Sequence, residues 1–145
     1  MLDFKGSHAP VAGEFPDSLI ARFRDQSQLD FEIEFFEQIL ARHPDYIDVL
    51  RCQGELLTRK GLYGRGLQVD LRLVDLCPHD CVVRYNLACS YALTGKKREA
   101  ISALRQAIED GYDDLSYLEV DRDLESLHDE PEYRKLLKDF GIGLS

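Results

Sequence analysis

The sequence is short of positive charge, of long apolar runs and of cysteine, and each shortage closes off a class of function. Its 18 lysines and arginines face 27 aspartates and glutamates, a formal net charge of -9. That balance opposes approach to phosphate backbones and to anionic lipid, so neither nucleic acid nor a membrane surface is an expected partner. No apolar stretch approaches the roughly 18 residues that a spanning helix requires. The opening residues Met1 to Pro10 lack the basic start and apolar core of a signal peptide, and a cytoplasmic location is the expectation. The four cysteines, Cys52, Cys77, Cys81 and Cys89, sit in a chain that is neither short nor visibly secreted, and they read as reduced thiols. A glycine-rich phosphate loop is also missing: Gly61-Leu-Tyr-Gly64-Arg-Gly66 runs from a turn into a helical pattern, where a nucleotide fingerprint needs a strand leading into a helix.

What is present is ordinary globular material. Apolar residues make up 44% of the 145 and charged residues 31%, enough for one domain that buries roughly 68–70% of its extended-chain surface. Residues 1–13 are expected to be poorly ordered, and 14–140 to form a single helical domain.

The organisation of that domain comes from internal spacing. Pro44 and Pro78, Gly54 and Ala88, Gly61 and Gly95, and Gly66 and Ala100 are four pairs separated by 34 residues each. Between these marks the apolar residues recur at three- and four-residue steps, as on one face of a helix. Helices are predicted over Ile47 to Lys60, Tyr63 to Leu76, Asp80 to Leu93 and Lys96 to Asp110, with Gly61, Gly95 and Gly111 as their stops. Gly54 with Gly66, and Ala88 with Ala100, are the predicted crossings, where absent bulk lets two backbones come close. Upstream, Asp30 to Arg42 reads as the second helix of a degenerate earlier copy, with Pro16 to Gln26 as its shortened partner. Downstream the spacing fails, because Arg122 and Asp129 stand where a small residue and a glycine are due. There Leu115, Leu118, Leu124 and Leu127 predict short turns, and Pro131 to Phe140 predicts a helix with proline at its start, an end unit covering the last apolar face.

Residues 47–80 and 81–114 resemble tetratricopeptide repeats. In the second of these, Tyr91, Gly95, Ala100 and Ala107 stand at the motif positions, with Tyr112 in place of the closing proline; in the first, Gly54, Gly61 and Pro78 match, with Leu57 for the tyrosine. The tail from Gly111 to Leu137 is similar to the C-terminal unit that closes many bacterial members. The resemblance implies an all-α, right-handed stack of helical hairpins: a degenerate repeat at 14–46, repeats at 47–80 and 81–114, and a helical cap at 115–140. It further implies an adaptor that holds a protein or peptide partner in a concave groove lined by the first helix of each repeat.

Those groove positions are Asp48, Arg51, Cys52, Glu55 and Arg59 in one repeat and Val82, Tyr85, Asn86, Cys89 and Leu93 in the next. Tyrosine and arginine dominate many interfaces, so Tyr85 and Arg51 lead as contacts; the blander alternative is that Tyr85 fills space and Arg51 pairs with Glu55 at helical spacing. The carboxylate clamp of co-chaperone members would need its residues at Arg51, Glu55, Asn86, Ser116 and Val120. Only Asn86 matches outright and Glu55 would repel a carboxylate, so that clamp is not expected. Catalysis is not expected either, since His43, His79 and His128 fall in loops with no phased nucleophile. Two rivals stay open. A zinc site could use Cys77, His79 and Cys81, although structural zinc takes four ligands and no second pair is in phase; otherwise the end helices could make a homodimer. No cofactor is expected.

Overall fold

The computed structural model describes residues 17–143, and over that span the protein is all-helical. Residues 1–13, expected to be poorly ordered, lie outside the described residues. Helix α1 spans Asp17–Arg42, α2 Ile47–Lys60, α3 Tyr63–Leu76, α4 Cys81–Leu93 and α5 Lys97–Glu109; two 3-10 helices, Leu115–Glu119 and Arg122–Leu127, then lead to α6, Pro131–Asp139. Each α-helix packs on its neighbour in sequence, α1 on α2, α2 on α3, α3 on α4 and α4 on α5, while the second 3-10 helix lies against α4 and α5 and α6 lies against α5.

The first segment differs from the sequence-based expectation. The two helices predicted over Pro16 to Gln26 and Asp30 to Arg42 are one uninterrupted helix of 26 residues from Asp17. The residues between them, Ser27-Gln28-Leu29, include neither glycine nor proline, so nothing interrupts the helix where a hairpin turn would have to form. α1 packs through Ile33, with Leu29 and Phe36 alongside, against Leu56 and Leu57 of α2.

The turns that follow are set by backbone chemistry. Gly61 and Gly95 take left-handed backbone angles, φ 84° and 79°. Past each glycine the chain returns a hydrogen bond into the helix it has left: the Leu62 N–H donates to the Leu57 carbonyl and the Lys96 N–H to the Tyr91 carbonyl, both at 2.9 Å. This pattern satisfies carbonyls that a helix end otherwise leaves without partners. Equivalent atoms in the two turns are 34 residues apart, as are the first residues of α2 and α4 and of α3 and α5.

Gly54 and Gly66 stand at the contact they were expected to make. A Cβ on Gly54 would lie 3.3 Å from the Asp70 carboxylate and 3.5 Å from Val69, and one on Gly66 would lie 3.9 Å from the Gly54 carbonyl oxygen. Ala88 and Ala100, on α4 and α5, are fully buried. Around the second pair the main core gathers Leu87, Leu104 and Ala107 with Leu118, Leu124, Leu127, Tyr133 and Leu136 from the C-terminal segment. Ion pairs tie α5 to the end unit, Lys97 with Glu130 at 3.2 Å and Arg105 with Asp139 at 3.0 Å.

Two glycine-to-alanine changes should therefore act in opposite directions. Nothing lies within 4 Å of a Cβ at Gly95 or at Gly64, so sterics with neighbours do not enter. Gly95→Ala forces a side chain into the left-handed region and should cost about 1–2 kcal/mol, whereas Gly64→Ala, inside α3, should add about 0.4–1 kcal/mol. Urea midpoints moving in opposite senses would verify this; equal shifts would not fit the turn geometry.

Candidate functional site

One open groove of about 550 Å³ collects side chains from α2, α3, α4 and the 3-10 segment. From α2 come Arg51, Glu55, Thr58 and Arg59, from α4 come Tyr85, Asn86, Cys89, Ser90 and Leu93, and the far side is made by Tyr117, Asp121 and Asp123. Asp70, carried by α3 behind the Gly54 contact, reaches the same space.

The arginines on the α2 side are already matched. Arg51 donates to the Asp80 carboxylate at 2.7 Å, and Asp80 in turn caps α4 by accepting the Val82 and Val83 backbone N–H groups at 3.0 and 3.1 Å. The Arg51 guanidinium, ahead of the two backbone donors, holds the Asp80 carboxyl below the usual carboxylate range. Arg59 pairs with Glu55 at 3.1 Å across one helical turn. The Arg51–Glu55 pair, the blander of the two alternatives for Arg51, is not formed, because Asp80 at the start of α4 comes within reach of Arg51 and leaves Glu55 to Arg59.

The opposite side is acidic and aromatic. Asp121 is only 6% exposed, accepts the Tyr85 hydroxyl hydrogen bond at 2.5 Å and lies 3.7 Å from the Cys89 thiol. Its second oxygen accepts the Asp123 N–H at 3.0 Å, which caps the second 3-10 helix. The Tyr85 ring stacks on Tyr112 with centroids 4.1 Å apart. Burial, reinforced by the hydrogen bond to Asp121, pushes the Tyr85 phenol well above its ordinary value, and burial with the Asp121 charge does the same to the Cys89 thiol. Asp123 is also raised, by burial first and then by Asp121. On the α3 side, the Ser90 hydroxyl donates to Asp70, whose carboxyl burial pushes up to about 6.

Of the residues singled out from sequence, Arg51, Glu55, Arg59, Tyr85, Asn86, Cys89 and Leu93 line this groove. Asp48 and Val82 are exposed and do not line it; Val83, one step and about 100° further round α4, takes the place expected of Val82. Cys52 lies in a separate crevice with Phe31 and Phe35 of α1. In the segment 77–81, Cys77 follows the last residue of α3, Cys81 opens α4 and His79 is exposed. Among the described residues the group whose metal-ligating atoms lie within 4.8 Å of one another is Cys89, Asp121 and Asp123, not Cys77, His79 and Cys81. Asp70, Ser90, Tyr117, Asp121 and Asp123 carried no sequence signal as groove residues, since they belong to second helices, to hidden faces or to the segment where the 34-residue spacing has lapsed.

No protein-family model matches this chain. Over 59 residues it is 37% identical to a chloroplastic protein of Arabidopsis thaliana, an alignment that covers 41% of this chain and 18% of that protein. The matched segment therefore spans less than a fifth of that protein's length.

Asp70 gives the site a pH dependence whose sign is fixed. Its folded-state carboxyl lies above the ordinary 3.8, at about 6, so between those values the folded protein binds the extra proton. The contribution is present at low pH and is lost as pH rises through about 6. Relative to the parent chain, Asp70→Asn should gain on the order of 3 kcal/mol between about pH 4 and pH 7.5, read from urea unfolding at several pH values; a pH-independent difference would contradict the buried carboxyl.

Proposed function

We propose that the protein is a tetratricopeptide-type stack of helical hairpins that acts as a non-enzymatic adaptor, holding a peptide or a partner's helix in the groove between α2, α4 and the 3-10 segment. The observation that carries this reading is that α2 and α4, which begin 34 residues apart, present Arg51, Glu55 and Arg59 and Tyr85, Asn86 and Cys89 to one open groove. The matching glycine turns at Gly61 and Gly95 support it. So does the state of the cysteine in the groove: burial holds the Cys89 thiol in its protonated, unreactive form. Recognition then rests on shape and charge, with Asn86 exposed to a bound chain and Tyr85 anchored from below by Asp121.

A second reading, self-association, draws on α1, where Phe31 and Phe35 are 63% and 49% exposed and stack on one another with centroids 6.3 Å apart. Exposed aromatics in contact form an apolar patch that a partner copy would cover.

Two measurements separate these readings. A photo-crosslinker replacing Asn86 should trap a partner from the source cell's lysate while the same group replacing Glu109, on the exposed side of α5, does not; equal trapping from both positions would remove the groove reading. Sedimentation equilibrium on the purified chain should give a monomer. A dimer abolished by Phe31→Glu with Phe35→Glu, yet unaffected at Asn86, would favour self-association.

A further inference from the structure

We infer that a crevice between α1, α2 and α3 is a binding site for a phenol, an aromatic ring carrying one hydroxyl, whose O–H donates to the side-chain carbonyl of Gln53. The crevice shares no residue with the groove, so the inference goes beyond the adaptor reading and is tested apart from it.

A buried acceptor with no donor carries it. Gln53 is 2% exposed and lines this opening of about 380 Å³ together with Leu40 of α1, Leu57 of α2 and Val69 of α3. Its amide is oriented by the hydrogen bond that Nε2 donates to the Ile33 carbonyl at 3.2 Å. That bond fixes which end of the amide is which, because only the nitrogen can donate to a carbonyl. Oε1, on the other branch, is buried and has no hydrogen-bond partner among the described residues. A buried polar atom in this state is costly and calls for a donor. Water fits poorly, since a buried water makes about 2–4 hydrogen bonds. The remaining polar lining, Glu37, Arg65 and Gln68, is exposed at the rim, and Glu37 and Arg65 are paired with each other.

The next helices along the chain show what the crevice lacks. At the 34-residue spacing, Glu37, Gln53 and Leu57 correspond to Leu71, Leu87 and Tyr91, which are buried in the main apolar core or packed against it. Leucines stand there in place of Glu37 and Gln53, and a tyrosine ring in place of the shorter Leu57. The crevice is therefore without a ring, and it holds an amide acceptor where the later helices carry methyl groups. An aromatic ring resting on Leu40, Leu57 and Val69 would replace the first, and a hydroxyl directed at Oε1 would satisfy the second. An aliphatic alcohol leaves the space of the ring unfilled, and a hydrocarbon leaves the acceptor bare. A charged ligand has nothing to select it, because Glu37 and Arg65 neutralise one another at the rim.

The test titrates the full-length 15N-labelled chain with p-cresol, and with p-xylene as the control in which a methyl group replaces the hydroxyl. The expected result is saturable amide shifts around residues 40, 53, 57 and 69, with p-cresol bound roughly tenfold more tightly than p-xylene, as for one hydrogen bond to an otherwise bare acceptor. Gln53→Leu, which matches the residue at 87, should leave the two ligands binding alike. Leu57→Tyr, which matches the residue at 91, should fill the crevice and abolish binding of both, and it keeps the test valid if Gln53→Leu fails to fold. Four results would overturn the proposal: no saturable shift with p-cresol, p-xylene binding the parent as tightly, a Gln53→Leu chain that keeps the preference, or a Leu57→Tyr chain that still binds. Nα-acetyl-tyrosine methylamide, titrated alongside, assigns the source of the phenol. Shifts of the same amides would place it on a partner's tyrosine, whereas shifts with p-cresol alone would make it a free small molecule; either result supports the site.

Discussion

Close backbone approach between successive helices is the constraint on which the rest of the structure depends. Gly54 has no side chain to hold α3 away, and the vacant direction points at Asp70 and Val69. Asp70 is thereby drawn into the interior, where it accepts the Ser90 hydroxyl of α4 and couples α2, α3 and α4 through a single carboxyl. Ala88 and Ala100, on the next pair of helices, are fully buried without polar cargo, and the core around them is built from apolar side chains. One crossing therefore carries a buried acid facing the groove, and the other carries the main hydrophobic packing.

The C-terminal segment does two jobs at once. Leu118, Leu124, Leu127 and Leu136 close the apolar side of α4 and α5. Asp121, between the two 3-10 helices, meanwhile projects onto Tyr85 and Cys89 and turns the end unit into a wall of the groove. A wholly apolar cap would have served stability better, because buried carboxyls are costly. Three donors offset part of that cost, the Tyr85 hydroxyl, the Cys89 thiol and the Asp123 N–H.

Much of the helical framework was legible from the residues. Two helices lie where their spacing put them, Ile47–Lys60 and Tyr63–Leu76, while Cys81–Leu93 starts one residue later than expected and Lys97–Glu109 is one residue shorter at each end. The reason is that glycine stops, an aspartate cap and three- and four-residue apolar steps are local signals, each acting within one or two turns. α1 departs from expectation because a lapse of pattern over Pro16 to Gln26 does not mark a separate short helix; continuity needs only that no residue interrupt it. The groove was half legible: Arg51, Glu55, Arg59, Tyr85, Asn86 and Cys89 follow from helical phase, while Asp48 and Val82 fall just off the lining face.

The sequence by itself determined the all-helical class, the places where helices stop and the residues small enough for crossings, because these depend on backbone torsion and on neighbours a few positions away. Only the tertiary structure decided which charges meet. Arg51 finds Asp80 rather than Glu55, and Asp121 reaches Tyr85 across 36 residues of chain, since ion pairing and burial depend on distances that local periodicity does not encode.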